Sequence, residues 1–208
     1  MLQKKAVEPA TLELLRKISS LHLINDFALG GGTNLALRLG HRVSIDLDFF
    51  TNSEFTNSIV FQTITREFPD AELLFEQNQT MMFDINGIKV DFVLYPFKWL
   101  KPFELIEKAR LISVSDIIPM KLQAISNRFS KKDFWDIAFL LKDFPLQKMM
   151  EIFTAKFPQI DPGFIIHSLV SFDEAEKDPD PICILTKTWA EIKSLLEETV
   201  IDYTNGMI

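Results

Sequence analysis

The period of apolar positions changes several times along this chain, and each change marks an element. After Pro9, apolar residues at Leu12, Leu15, Ile18 and Leu21 or Leu23 recur at helical spacing and predict a helix. Phe27-Ala28-Leu29 reads as a short buried strand that runs directly into Gly30-Gly31-Gly32-Thr33. Residues 34–39 predict a short helix with Gly40 as its C-cap. Residues 43–50 alternate: Val43, Ile45, Leu47 and Phe49 face one way, and Ser44, Asp46, Asp48 and Phe50 the other. That pattern predicts a strand with one buried face. Residues 58–68 predict a helix, and 71–77 and 80–85 predict strands. Asn86-Gly87 is a favoured two-residue hairpin turn. After it Ile88, Val90, Phe92 and Leu94 alternate with Lys89, Asp91 and Val93, until Tyr95-Pro96 ends the strand. On this reading the strands are spent by about residue 95.

The second half predicts helices. Ser115 caps a helix over 116–127 that carries Lys121, with Pro119 in its tolerant first turn. Further helices are expected over 131–144, 146–157 and 163–172, then a loop at Asp178-Pro179-Asp180-Pro181 and an amphipathic helix over 186–203. The fold class is α+β: a small mixed β-sheet core over 1–97, followed by a mostly helical region over 98–208.

A chain of 208 residues can bury a core without disulfide or metal staples. One cysteine, Cys183, excludes a disulfide framework and a four-cysteine zinc site, and His22, His41 and His167 lack metal-ligand spacing. No segment has the apolar length of a membrane span, and the N-terminus lacks the apolar run of a signal peptide, so a cytoplasmic protein is expected. The net charge of −7 argues against general coating of nucleic acid. Charge is uneven, however. Residues 98–132 hold eight basic and three acidic side chains, whereas 171–208 hold nine acidic side chains and three lysines. Charge alone fits two solvated helical faces of opposite sign.

The chemistry concentrates around Asp46 and Asp48. Two residues apart on a strand, both carboxylates leave the same face. Like charges so close are best tolerated with a cation between them, and Mg²⁺ prefers such hard oxygen ligands. Asp91 has the same parity on a later strand. If that strand lies beside the first, three carboxylates converge as ligands for two metal ions, an arrangement suited to phosphoryl-type transfer. An isolated Asp-x-Asp is more often a solvated edge or turn, but this one is flanked by Ile45, Leu47 and Phe49. Upstream, Gly31, Gly32 and Thr33 follow a strand and open a helix, where backbone N–H groups can cradle phosphate. Arg38 and Arg42 flank this region and have two readings, phosphate contact or pairing with surface carboxylates. Ser44 shares the face of Asp46 and can hydrogen-bond a carboxylate or a phosphate. His41 reads as a loop residue. Phe134, Trp135 and Phe139 read as core in preference to a base-stacking set.

Gly32-Thr33, twelve intervening residues and Asp46-Leu47-Asp48 together resemble the first motif of the DNA polymerase β-like nucleotidyltransferase superfamily. The longer string LGGGTNLALRLGHRVSIDLDFF is similar to the AbiEii/AbiGii toxin family of bacterial toxin–antitoxin and phage-abortive systems. Lys89-Val90-Asp91 resembles that family's second motif, Lys121 in PMKLQAIS its third, and Lys132-Asp133-Phe134-Trp135-Asp136 its fourth. The resemblance implies Mg²⁺ at Asp46, Asp48 and Asp91, with Asp91 also acting as base toward the attacking hydroxyl. It implies nucleotide phosphates at Gly31, Gly32 and Thr33, charge neutralisation by Lys121, and an orienting role for Asp133; Asp136, one turn on, has two readings, serving in place of Asp133 or capping the packing. It further implies an NTP substrate, an acceptor such as a tRNA 3′ end, another RNA or a protein side chain, and a cognate antitoxin. The basic stretch 98–132 is the expected RNA path. A different class of reading is an inactive nucleotide-binding or protein-interaction module of the same fold. A housekeeping tRNA- or aminoglycoside-type nucleotidyltransferase shares the chemistry and differs in acceptor.

Overall fold

Two turns with left-handed backbone generate the edge of the sheet in the computed structural model, which describes residues 2–22 and 26–206. Asn86 and Gly87, at φ 55° and 78°, join β4 (Thr80–Ile85) to β5 (Ile88–Leu94), and Asn78 and Gln79, at φ 47° and 57°, join β3 (Glu72–Gln77) to β4. The position Leu23, an alternative end for the first predicted helix, lies outside the described residues. The chain divides into two units, 1–113 and 114–208.

The first unit is built on a seven-stranded mixed sheet of order β3-β4-β5-β2-β1-β7-β6. The further strands are β1 (Ala28–Leu29), β2 (Leu47–Thr51), β6 (Glu104–Ile106) and β7 (Ala109–Leu111). β2 runs parallel to β5 and antiparallel to β1, which pairs in parallel with β7. One face buries Leu47, Phe49, Met81, Phe83, Val90 and Phe92 against Leu15 and Ile18 of α1 (Pro9–Ser19) and Val60 and Ile64 of α3 (Asn57–Glu67). Phe49 and Phe92 stack at 5.5 Å, so neighbouring strands are locked ring to ring. By alternation, Asp48 and Asp91 leave the opposite face. At the sheet edge every residue of β3 is exposed, among them Leu73, Leu74 and Phe75.

Helix α2 (Gly31–Leu39) starts at the glycines themselves, and Gly40 ends it at φ 64° as expected. Buried Asn34 on α2 fastens the helix to the sheet. Its amide donates to the carbonyls of Leu29 (2.8 Å) and Ile112 (2.9 Å), and its oxygen accepts from Arg38 Nε at 2.7 Å.

Two sequence expectations are corrected here. The strand expected over 43–50 begins only at Leu47. The Ser44 N–H donates to the Ala6 carbonyl at 2.9 Å, and the Asp46 carbonyl accepts from the Thr33 hydroxyl. These bonds take 44–46 off the ladder and leave Ile45 56% exposed instead of buried. Strands also continue beyond residue 95, because β6 and β7 form a hairpin closed by Glu107 and Lys108 at φ 50° and 71°. The sheet therefore extends past residue 97, through the hairpin that joins β1.

The second unit is helical: α4 (Val114–Arg128), α5 (Lys131–Leu140), α6 (Leu146–Lys156), α7 (Pro162–Ser168) and α8 (Trp189–Asn205). Phe134 and Trp135 are buried and pack with Trp189, which also meets Phe172, at centroid distances of 5.5–5.8 Å, the core reading of these aromatics. Thr188 and Glu191 close a capping box at the start of α8.

Asn34→Ala is expected to destabilise the protein by about 1–2 kcal/mol, since it removes two buried amide hydrogen bonds and the acceptor for Arg38 Nε, while the Leu29 carbonyl keeps the Ile112 N–H and the Ile112 carbonyl keeps Arg38. Urea unfolding checks this: the midpoint falls while the slope is unchanged.

Candidate active site

Register brings the first two motifs together. In the parallel pairing of β2 with β5, Asp48 stands directly beside Asp91. Strand spacing sets their Cα atoms about 5 Å apart, with both side chains on the face opposite α1 and α3. Asp46 lies two residues before Asp48, just outside β2 and half-buried. Asp91 is itself buried, and its two oxygens differ. Oδ2 accepts from Lys89 Nζ at 2.7 Å, whereas Oδ1 is buried and accepts no hydrogen bond among the described residues. Burial pushes the Asp91 carboxyl above its ordinary pKa; the Lys89 ammonium opposes this in part, and the nearby Asp46 adds to it. Burial works against the Lys89 ammonium, but Asp91 first, then Asp48 and Asp46, hold its pKa above the ordinary lysine value.

The glycine turn lies against these carboxylates. Gly31 has φ 61°, and the space a Cβ would take there is filled by the Asp48 carboxylate. At Gly32 that space is filled by the Arg42 guanidinium. Buried Arg42 also donates to the Val43 carbonyl at 3.1 Å, and the Thr33 hydroxyl bonds Ser44 Oγ at 2.8 Å. Gly31, Gly32, Thr33, Arg42, Ser44, Asp46, Asp48 and Asp91 thus form one neighbourhood at the start of α2. Arg38 takes the carboxylate reading, pairing with Glu104 at 3.1 Å. His41 belongs to no strand or helix, yet it is fully buried. Lys89 was legible only as a letter of the second motif. Its contact with Asp91 follows from their shared parity on β5.

Metal binding fits the donor chemistry here. Asp91 offers an unsatisfied buried oxygen, and Asp48 stands beside it. Among the described residues, no group of three or more His, Cys, Asp or Glu side chains is gathered closely enough to hold a metal ion by itself. Further ligands therefore have to come with a bound nucleotide or from water, as is usual for Mg²⁺.

In the second unit the third and fourth motifs meet each other. Lys121 Nζ lies 2.8 Å from Asp133 Oδ1 and 2.6 Å from Asp136 Oδ2, all three side chains being buried. Arg128 clamps Asp133 from the other side, Nε to Oδ2 at 2.6 Å. Two cations thus face two carboxylates. Asp136 takes part in this cluster alongside Asp133. Burial alone disfavours the Asp133 carboxylate, but Lys121 and Arg128 outweigh it and hold its pKa below the ordinary value. The expected basic path over 98–132 is partly spent inside the protein. Lys121 and Arg128 serve this cluster and Lys131 pairs with Asp180 at 2.8 Å, while Lys98, Lys101, Lys108 and Lys132 are exposed. A cavity of about 700 Å³ in this unit is lined by Leu141, Leu146, Leu195 and Tyr203 and offers neither paired carboxylates nor a phosphate cradle.

Sheet-borne carboxylates facing a glycine turn that opens a helix, on a mixed sheet followed by helices, define a nucleotidyltransferase. The chain matches the family described as nucleotidyl transferase AbiEii toxin, type IV TA system, over residues 13–204. It is 33% identical over 204 residues to protein aq_aa25 of Aquifex aeolicus (strain VF5), covering 92% of this chain and 94% of that one. The chain belongs to the AbiEii nucleotidyltransferase toxin family. Similar folds are found in MenT4, a nucleotidyltransferase toxin of Mycobacterium tuberculosis H37Rv, with TM-score 0.58 and 13% identity over 93% of this chain and 82% of that one. JHP933 of Helicobacter pylori gives TM-score 0.53 and 16% identity over 97% and 96%. The antibiotic-resistance factor ANT(2'')-Ia gives TM-score 0.51 and 14% identity over 70% and 91%. Among the described residues no helix is long and apolar enough to cross a membrane.

Lys121→Met and Asp133→Asn are each expected to cost about 3 kcal/mol, since each leaves buried charge uncompensated. Their double variant costs less than the sum, which a double-mutant cycle by urea unfolding checks. The pH dependence has a definite sign. A carboxylate whose folded pKa is lowered contributes stability above its unfolded pKa and loses it as pH falls through the folded one. The gap between wild type and Asp133→Asn is therefore widest at neutral pH and closes below about pH 4.

Proposed function

We propose that this toxin transfers a nucleoside monophosphate from an NTP to a hydroxyl at the 3′ end of an RNA, tRNA being the acceptor class, in a Mg²⁺-dependent reaction in the cytoplasm, and that a cognate antitoxin restrains it. The observation that supports this best is the in-register pair Asp48–Asp91 with the unsatisfied oxygen of Asp91. A core has no use for such a pair, because adjacent carboxylates out of water are costly without cations.

The residues divide the work. Backbone N–H groups at Gly31, Gly32 and Thr33 receive the phosphates at the positive end of α2, with Arg42 and Ser44 beside them. Asp46, Asp48 and Asp91 would hold the divalent ions, which supply charge neutralisation at the reacting phosphate when bound. Asp91 accepts the proton of the acceptor hydroxyl. The acceptor oxygen then forms a bond to the α-phosphorus, the bond from the α-phosphorus to the bridging oxygen breaks, and pyrophosphate leaves. Little covalent chemistry is asked of the protein, so positioning and charge carry the rate. Lys121, held by Asp133 and Asp136, is assigned to neutralising the nucleotide. Exposed Lys98, Lys101 and Lys108 are assigned to the RNA backbone, which makes RNA binding weaken with salt.

Asp46→Ala and Asp48→Ala are expected to abolish transfer of label from α-³²P NTPs to total tRNA while leaving the melting temperature unchanged or slightly raised. Each loses a metal ligand and relieves carboxylate repulsion. Transfer at wild-type rate by either variant refutes the assignment. EDTA is expected to abolish both transfer and tight NTP binding, since carboxylates repel a triphosphate unless cations intervene. Calorimetry with and without EDTA measures this. Equal NTP affinity in both, with no pyrophosphate released, favours the inactive binding module.

A further inference from the structure

Lys89 has no place in the chemistry above, yet its ammonium is 2.7 Å from Asp91 Oδ2, on the side chain assigned to metal and proton. Its own side chain is 42% exposed, while that of Asp91 is 9% exposed. The pair is thus asymmetric: the carboxylate is fixed in a buried strand, and the cation sits on a flexible stem that reaches solvent. The fields of Asp48 and Asp46 also reach this ammonium. The other oxygen of Asp91 is left unsatisfied, and no set of three ligands is closed around a metal position among the described residues. The protein's own cation therefore sits on one oxygen of a carboxylate assigned to metal.

We propose that Lys89 is a built-in counter-ion, which holds Asp91 in the nucleotide-free protein and withdraws toward solvent when a divalent metal arrives with its NTP, so that metal binding is coupled to nucleotide binding. This rests on the metal-dependent reading of Asp46, Asp48 and Asp91. Three carboxylates with no cation repel one another, and a permanently tight metal site relieves this at the cost of holding the metal whether or not substrate is present. A lysine relieves the repulsion differently. It is one charge against two, it brings no oxygen ligands, and it has a solvated position to move to. A bare metal ion must compete with it. A metal ion carrying triphosphate oxygens competes far better, because it arrives with part of its coordination complete. Lys89 is by this account a positioning residue that acts through Asp91.

The test is Mn²⁺ binding, read by the EPR signal of free Mn²⁺, in wild type, Lys89→Met, Lys89→Gln and Lys89→Arg. Each is titrated alone and with each of the four α,β-methylene NTPs. Wild type is expected to bind Mn²⁺ weakly alone and much more tightly with the analogue it recognises. Lys89→Met and Lys89→Gln are expected to tighten binding of Mn²⁺ alone by about tenfold, between the scale of a fully solvated charge pair and that of one shielded at a protein surface. Lys89→Arg stays near wild type. The melting temperature of the Met and Gln variants is expected to fall in EDTA and to recover in Mn²⁺. Unchanged or weaker binding of Mn²⁺ alone in whichever of the two neutral variants folds, with analogue-dependent binding intact, overturns the counter-ion and leaves the metal reading standing. Absence of Mn²⁺ binding in wild type with every analogue overturns both. A purely structural Lys89 lowers the melting temperature equally in EDTA and Mn²⁺, and that too overturns the inference.

Discussion

The parallel register of β2 with β5 imposes the central constraint: two carboxylates are held one strand spacing apart and cannot separate. Their repulsion is fixed in place by the opposite face of the same strands. There Leu47, Phe49, Val90 and Phe92 are buried and the two phenylalanines are stacked. A shift of either strand by one residue turns the carboxylates into the core and the phenylalanines out, so hydrophobic burial determines where the charges stand. Everything around the pair answers that repulsion. Lys89 reaches Asp91, and the backbone at Gly31 carries no side chain where Asp48 needs room.

The second unit solves an opposite problem. Lys121, Arg128, Asp133 and Asp136 are balanced in charge, and Lys156 with Asp116 makes another buried pair at 2.7 Å. These clusters tie α4 to α5 and α4 to α6. Each of these carboxylates is paired with a cation, and one oxygen of Asp91 accepts no hydrogen bond among the described residues. Buried ion pairs add little net stability over apolar packing, but they penalise every arrangement of the helices that separates them.

Much of the catalytic sheet was legible in the sequence because strand parity is a strong rule. Asp48 and Asp91 alternate with large apolar residues, so their common face follows from counting by two. Asn86-Gly87 announced its hairpin, since left-handed backbone at both positions favours those residues. What escaped obeys no local rule. The stretch 43–46 alternates like a strand, yet a bond from Ser44 to Ala6, distant in sequence, takes it off the ladder. Strands β6 and β7 have three residues each, and their turn uses Glu107 and Lys108, which carry no turn signal. The tie from Asn34 to Ile112 spans 78 residues. Arg42 reads as a surface residue until a glycine turn is folded over it. Motif resemblance supplied Lys121 and Asp133, while the involvement of Arg128 and the joint role of Asp136 needed the coordinates.

The packing at Gly31 and Gly32 has a genetic consequence. Any missense change at either codon adds at least a Cβ, and the space it needs is held by Asp48 at one position and by Arg42 at the other. At Gly31 the left-handed backbone and the Asp48 carboxylate together bar a side chain, whereas at Gly32 the obstacle is the movable tip of Arg42. Where a toxin of this family acts unrestrained, survivors arise by whatever disarms it in a single step. Gly31 offers such a lineage a target outside the carboxylates themselves.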